Sequence, residues 1–265
     1  MKFLRLQPWI DQEQINTKRV SNTLMKKLLG GNLKLCCSKQ LLEHLSTLLD
    51  GEYNDVETLY AVPFPYLSLA REIFPSYVKI SAQDCSEFVS GAYTGEVSAD
   101  MLVDIGINNV IIGHSERRKL FDDEKSVCNK VMNAFKKGMS VLLCVGEDEK
   151  QRKENKTIPV IERQLKSVLE CMVDHRISCI DVAYEPVWSI GTGNVPENEE
   201  IEEVIGFIRT EMMNYHVSGR VVYGGSVSSK NVENLCGIKC LDGFLVGKSS
   251  TTEEFAHIAR LLHRK

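Results

Sequence analysis

The chain has 265 residues, 43% of them hydrophobic, and a formal net charge of −4, enough apolar content for one large domain with a substantial core or for two small ones. A weakly acidic balance without basic runs interleaved with aromatics carries no nucleic-acid signature, and no apolar segment is long enough to cross a bilayer. The nine cysteines are an odd, scattered set with no paired metal-ligand spacing, so no metal site is expected and a reduced, intracellular protein is.

Residues Met1 to Leu24 hold mixed charge and Trp9 without a clear period. They lack the apolar stretch and small-residue cleavage site of a secretory signal, and Asp11 and Glu13 count against a transit peptide, so this segment reads as a loosely ordered N-terminal extension. From Met25 an alternation begins that runs through residue 265. Apolar runs predict strands at Lys27–Gly31, Thr58–Val62, Val78–Ala82, Asn109–Ile112, Ser140–Val145, Ile180–Tyr184, Val221–Tyr223 and Gly243–Val246. Helical faces lie between them, such as Leu41, Leu42, Leu45 and Leu48, or Val160, Ile161, Leu165 and Val168. The segments after the second and seventh strands are short, and Thr251 with Glu254 has the spacing of a capping box that would open the last helix. Eight strands, each followed by a helix and with no linker between halves, make an α/β chain with the count of a parallel (β/α)8 barrel. An open doubly wound sheet is the competing architecture. It would want a glycine-rich phosphate turn after the first strand, and GGNLKL is not GxGxxG.

In such a barrel the chemistry sits where strands end. The sixth strand runs into AYEPVWSIGTG, residues 183–193. Pro186 restricts Glu185 to extended geometry at the strand tip. The apolar Val187 and Trp188, followed by Gly-Thr-Gly, have the makings of a lid, and a carboxylate beside a closable lid becomes a stronger base as water leaves. After the first strand come Asn32, a neutral donor, and Lys34, a fixed cation. After the fourth comes GHSERR, in which Ser115 and Glu116 suit a first helical turn, so that His114 faces a positive helix end as a neutral hydrogen-bond donor. Glu116, flanked by two arginines, fits a structural ion-pair network better than a second base. The seventh and eighth strands end in YGGS and GKSS, whose backbone N–H groups and hydroxyls suit a phosphate dianion. The other histidines, His44, His175, His216, His257 and His263, have no such context.

The strings GGNLKL, AVPFPYL, GAYTGEVS, VIIGHSERR, AYEPVWSIGTG, YGGSV and DGFLVG stand in one order from Met25 onward, and in that order the chain resembles the triosephosphate isomerase family. The resemblance implies the TIM barrel and a reversible, cofactor-free conversion of dihydroxyacetone phosphate and D-glyceraldehyde 3-phosphate. It implies Glu185 as the base that removes a proton beside the carbonyl, His114 as the electrophile at the carbonyl oxygen, and Lys34, with Asn32, as charge for substrate and oxyanion. The glutamate base and neutral histidine are that family's described pattern and come with the resemblance. The phosphate would lie against Gly191, Ser226, Gly247 and position 248, under a lid from Pro186 to Pro196 that keeps water from a labile enediolate phosphate. A cytoplasmic homodimer is implied too, joined through the loop from Gly91 to Ser98. Four departures stand out: Leu33 for the usual Trp, Leu35-Cys36 for Met-Asn, a far hinge Asn194-Val195-Pro196 two residues shorter than usual, and Lys248 for a glycine. An isomerase of a longer phosphorylated sugar is the alternative enzyme, favoured by Lys248 and the short hinge. A barrel kept only for binding should have lost one of Lys34, His114, Glu185 or Ser226, and all four are present.

Overall fold

Each apolar run becomes a parallel strand, and a computed structural model describes residues 25–49 and 51–263. The strands are β1 (Lys27–Asn32), β2 (Val56–Val62), β3 (Val78–Ala82), β4 (Asn109–Ile112), β5 (Ser140–Val145), β6 (Asp181–Tyr184), β7 (Val221–Tyr223) and β8 (Gly243–Val246). They pair in sequence order and close through β8 and β1, so the open-sheet alternative does not hold. The expected extension, Met1 to Leu24, lies outside the described residues.

Strand alternation sorts the side chains into two cores. Leu28, Leu59, Ile111, Leu142, Ala183 and Val222 pack together in the barrel lumen. Their neighbours, among them Leu29, Tyr60, Ile112, Leu143 and Val182, join the larger cluster beneath the helices. The helices are α1 (Lys39–Leu48), α2 (Leu67–Ile73), α3 (Ala99–Asp104), α4 (Ser115–Leu120), α5 (Glu124–Lys136), α6 (Glu149–Lys153), α7 (Thr157–Asp174), α8 (Asn198–Asn214), α9 (Val232–Leu235) and α10 (Glu254–His263). As the pattern predicts, α2 and α9 are short, with 7 and 4 residues.

At the amino ends of the strands the inward positions are charged. Arg220 bonds Glu57 at 2.9 Å and Asp181 at 2.5 Å, and Lys79 pairs with Glu57 at 2.5 Å. Burial pushes the Glu57 carboxyl up, but the Arg220 charge and the Lys79 contact outweigh it and hold the group below the usual glutamate value. This ionic layer floors the lumen, the apolar layer fills it, and the opposite mouth is left for polar side chains.

One local expectation fails. The capping box between Thr251 and Glu254 does not form, because residues 248–251 turn as a 3₁₀ segment and the Thr251 hydroxyl donates to the Lys248 carbonyl at 2.9 Å. The Glu254 carboxylate instead accepts from the backbone N–H and hydroxyl of Ser229, at 2.9 and 2.8 Å, tying α10 to the loop after β7. Two donors on a neighbouring loop outcompete the single N–H that a box would offer.

Candidate active site

All eight residues singled out from the sequence, Asn32, Lys34, His114, Glu185, Gly191, Ser226, Gly247 and Lys248, line one cavity of about 540 Å³ at the carboxyl ends of the strands. The architecture accounts for this: β1, β4, β6, β7 and β8 each deliver the residue at or just beyond their last rung into the same mouth.

Glu185 follows β6 directly. Its N–H donates to the Val145 carbonyl at 2.8 Å, extending the β5 ladder by one rung. Its side chain is 2% exposed; Oε1 lies 3.2 Å from His114 Nε2, and Oε2 accepts the Ser115 N–H at 3.2 Å. The close pass of Gly224 sets the room available, since a Cβ there would sit 2.9 Å from Glu185 Cγ. Below the carboxylate lies the Cys144 thiol, which burial, and then the Glu185 charge, push well above its ordinary pKa, so it stays protonated.

His114 caps α4, and its Nδ1 accepts the Glu116 N–H at 3.2 Å. An accepting Nδ1 leaves the proton of a neutral ring on Nε2, the atom facing Glu185. Gly113 takes φ +74° to turn the chain from β4 into this cap. Arg118 braces the turn: Nε donates to the Gly113 carbonyl at 2.8 Å and Nη2 to the Cys144 carbonyl at 3.2 Å, while Nη1 pairs with Glu124 at 2.7 Å.

Lys34 adopts φ +50°, a strained conformation for a residue with a Cβ. It is fixed from both sides, its N–H donating to Asn32 Oδ1 at 3.0 Å and its carbonyl accepting from Gln83 Nε2 at 3.0 Å. The ammonium reaches Glu116 at 2.8 Å. Glu116 therefore does join an ion pair, but with Lys34; the flanking Arg117 and Arg118 turn to Asp84 and Glu124. Burial raises the Glu116 carboxyl, and the Lys34 hydrogen bond with the neighbouring charges brings it below its usual value. Lys248 is exposed at the mouth, and its side chain has no hydrogen bond or ion pair among the described residues.

The near hinge of segment 186–196 makes a 3₁₀ turn at Val187–Ser189. Trp188 Nε1 donates to Glu147 Oε1 at 2.8 Å, and the Arg152 guanidinium stacks 4.1 Å from the Trp188 ring centroid. Glu147 is wholly buried, and burial raises its pKa despite the Trp188 and Tyr184 bonds. The strand-end reading does not single out Gln83, Glu147 or Ser189. Gln83 and Glu147 carry a signal, standing one residue past β3 and two past β5; Ser189, inside segment 186–196, carries none.

A family model described as triosephosphate isomerase matches residues 27–262. The chain is 38% identical to the triosephosphate isomerase of Geotalea uraniireducens over 248 residues, 89% of this chain and 99% of that protein. It is 40% identical to that of Trichlorobacter lovleyi over 245 residues, 88% and 97% of the two chains. The fungal relative from Paracoccidioides lutzii, bearing the same name, is 38% identical over 242 residues, again 88% and 97%.

Proposed function

The chain belongs to the triosephosphate isomerase family, and from that premise we propose that Glu185 moves the proton, His114 polarises the carbonyl and Lys34 balances developing charge in its reaction. That reaction interconverts dihydroxyacetone phosphate and D-glyceraldehyde 3-phosphate, an isomerase step of glycolysis on a small phosphorylated sugar. The observation that carries the assignment is the 3.2 Å approach of Glu185 Oε1 to His114 Nε2 in the cavity that also receives Lys34.

The steps balance within the substrate. Glu185 takes the proton from the hydroxymethyl carbon, and the electron pair of that C–H bond becomes the carbon–carbon double bond of the enediolate. The carbonyl electrons move onto oxygen, where the His114 Nε2–H and the Lys34 ammonium stabilise them. The hydroxyl proton passes from the first oxygen to the former carbonyl oxygen by way of His114 Nε2, and return of the other proton from Glu185 to the adjacent carbon gives the aldehyde, so neither an electron nor a net proton leaves the molecule. His114 must exchange Glu185 for the carbonyl oxygen as substrate enters, which frees the carboxylate to reach carbon. The phosphate is held by backbone at Gly191, Ser226 and Gly247, with Lys248 adding an exposed cation.

The assembly we propose is a homodimer through loop 91–98. Support comes from the apolar surface around that loop: Phe88 stacks on Tyr93 with ring centroids 3.7 Å apart, and Val89 and Tyr93 are exposed; Leu35, after β1, is a further apolar side chain left 97% exposed. Sedimentation equilibrium should return about twice 29.9 kDa. A cytoplasmic location is the reading that a glycolytic reaction and nine free thiols favour. The function is tested by a coupled assay offering triose phosphate and tetrose phosphate in parallel. Turnover selective for the triose supports it; a rate no higher than that of Glu185→Gln overturns it.

A further inference from the structure

Ser189 sits wholly buried in the near hinge, and its hydroxyl is where four segments meet. It donates to the Asn194 carbonyl of the far hinge at 2.5 Å and lies 3.3 Å from the Tyr223 hydroxyl at the end of β7. With its one proton committed to Asn194, Ser189 Oγ meets Tyr223 as an acceptor. It also accepts the backbone N–H of Ser226 at 3.3 Å, and the Ser226 hydroxyl answers by donating to the Ser189 carbonyl at 2.6 Å. The loop after β7 passes close enough for this because position 225 has no side chain: a Cβ there would come within 3.0 Å of Ser189 Oγ and 2.1 Å of the Tyr223 hydroxyl.

The Ser226 N–H is one of the donors assigned above to the substrate's phosphate. One N–H cannot serve Ser189 Oγ and a phosphate oxygen with good geometry at once. We propose that Ser189 is a positioning residue whose hydroxyl stands in for a phosphate oxygen on the Ser226 N–H, so that the arriving dianion displaces it and releases both hinges of the lid together. The inference rests on the phosphate-seat reading. The exchange runs in the right direction, because a hydrogen bond to a charged acceptor is stronger than one to a neutral hydroxyl. It also joins binding to lid movement through one atom: the Oγ that lets go of Ser226 is the same one that ties the near hinge to Asn194. An alanine at 189 makes none of these side-chain contacts.

The test is steady-state inhibition by inorganic phosphate, comparing the wild-type protein with Ser189→Ala. Removing the competitor for the N–H should lower the phosphate Ki and the KM for glyceraldehyde 3-phosphate together, by about 3- to 10-fold, the range of one neutral hydrogen bond. A merely structural role predicts the opposite, because a disordered lid raises both constants and lowers kcat. Ser189→Cys, similar in shape but a weaker acceptor, should fall between the two. An unchanged or raised Ki in Ser189→Ala of near-normal Tm overturns the latch alone. Failure of phosphate to compete with substrate in the wild-type protein overturns the phosphate seat itself.

Discussion

Replacing Glu185 by aspartate tests the proton-transfer geometry with the least other disturbance. The change withdraws the carboxylate by about 1.5 Å, one carbon–carbon bond. The backbone cannot follow to compensate. Glu185 N–H is bonded to Val145 at 2.8 Å, the Gly224 N–H holds the preceding Tyr184 carbonyl at 2.8 Å, and Pro186 restricts the peptide. Withdrawn by that amount, the carboxylate leaves hydrogen-bond reach of His114 Nε2, now 3.2 Å away, and stands short of the substrate carbon.

A misplacement of about 1 Å at a reacting group costs on the order of 100-fold. A displacement half as large again points to a kcat loss of about 10²- to 10³-fold, or roughly 3–4 kcal/mol of transition-state stabilisation. Glu185 does not touch the phosphate seat, so KM should stay within about threefold, the pattern of an interaction made in the transition state. A coupled spectrophotometric assay measures both constants, and a thermal melt confirms that the variant is folded. If kcat falls less than tenfold, or the loss appears in KM alone, Glu185 is not the base.

Gly224→Ala brings a methyl within 2.9 Å of Glu185 Cγ and should cut kcat about 10- to 100-fold by displacing the base, with a far smaller effect on the melt; unchanged turnover would mean that the carboxylate has more room than the packing allows. Lys248→Gly should raise KM by no more than about tenfold, since an exposed cation helps a dianion only modestly and salt screens it; a kcat loss of several decades would give Lys248 a part in the chemistry. Glu57→Gln should destabilise the fold by about 1–3 kcal/mol at neutral pH by leaving Arg220 underpaired. Because the folded-state pKa of Glu57 is lowered, its stabilisation is present above the unfolded-state value and lost as pH falls through the folded one. The gap between wild type and variant in urea unfolding should therefore close below the ordinary glutamate range, and a gap that is constant with pH would refute the assignment.

The barrel is legible because its strands are buried on both faces and carry continuous apolar runs, which set strand count and order before any contact is known. The site is legible for a related reason: a residue just past a strand end has its position fixed by that strand. Glu185, His114, Lys34 and Ser226 can be found one strand at a time. What the chain does not advertise is pairing across elements. Gln83 reaches from β3 to hold Asn32 Oδ1, the Lys34 carbonyl and the Ala61 carbonyl at 3.0–3.3 Å. Glu116 looks committed to the arginines beside it in sequence, yet its partner is 82 residues away. The failed box at Thr251 and Glu254 shows the same limit, since the carboxylate's better donors lie on another loop.

These hidden partners have a common consequence for the chemistry. The carboxylate, the imidazole and the ammonium are each held by backbone of a different strand, and each is also bonded to a residue from another: Glu185 to His114 and Ser115, Lys34 to Glu116, Asn32 to Gln83. Distances between reacting groups are thus set by the barrel's closure rather than by any one loop, which is what proton transfer at fixed separation requires. The lid segment is built the other way. Beside the Val187 N–H, which donates to the Glu147 carbonyl at 3.0 Å, its contacts to Glu147, Tyr223 and Ser226 each involve a side chain at its hinges, and each can be broken without unpairing a strand. With the roles proposed above, a rigid set of reacting groups under a segment held by exchangeable bonds would let the phosphate drive closure while Glu185 stays in register.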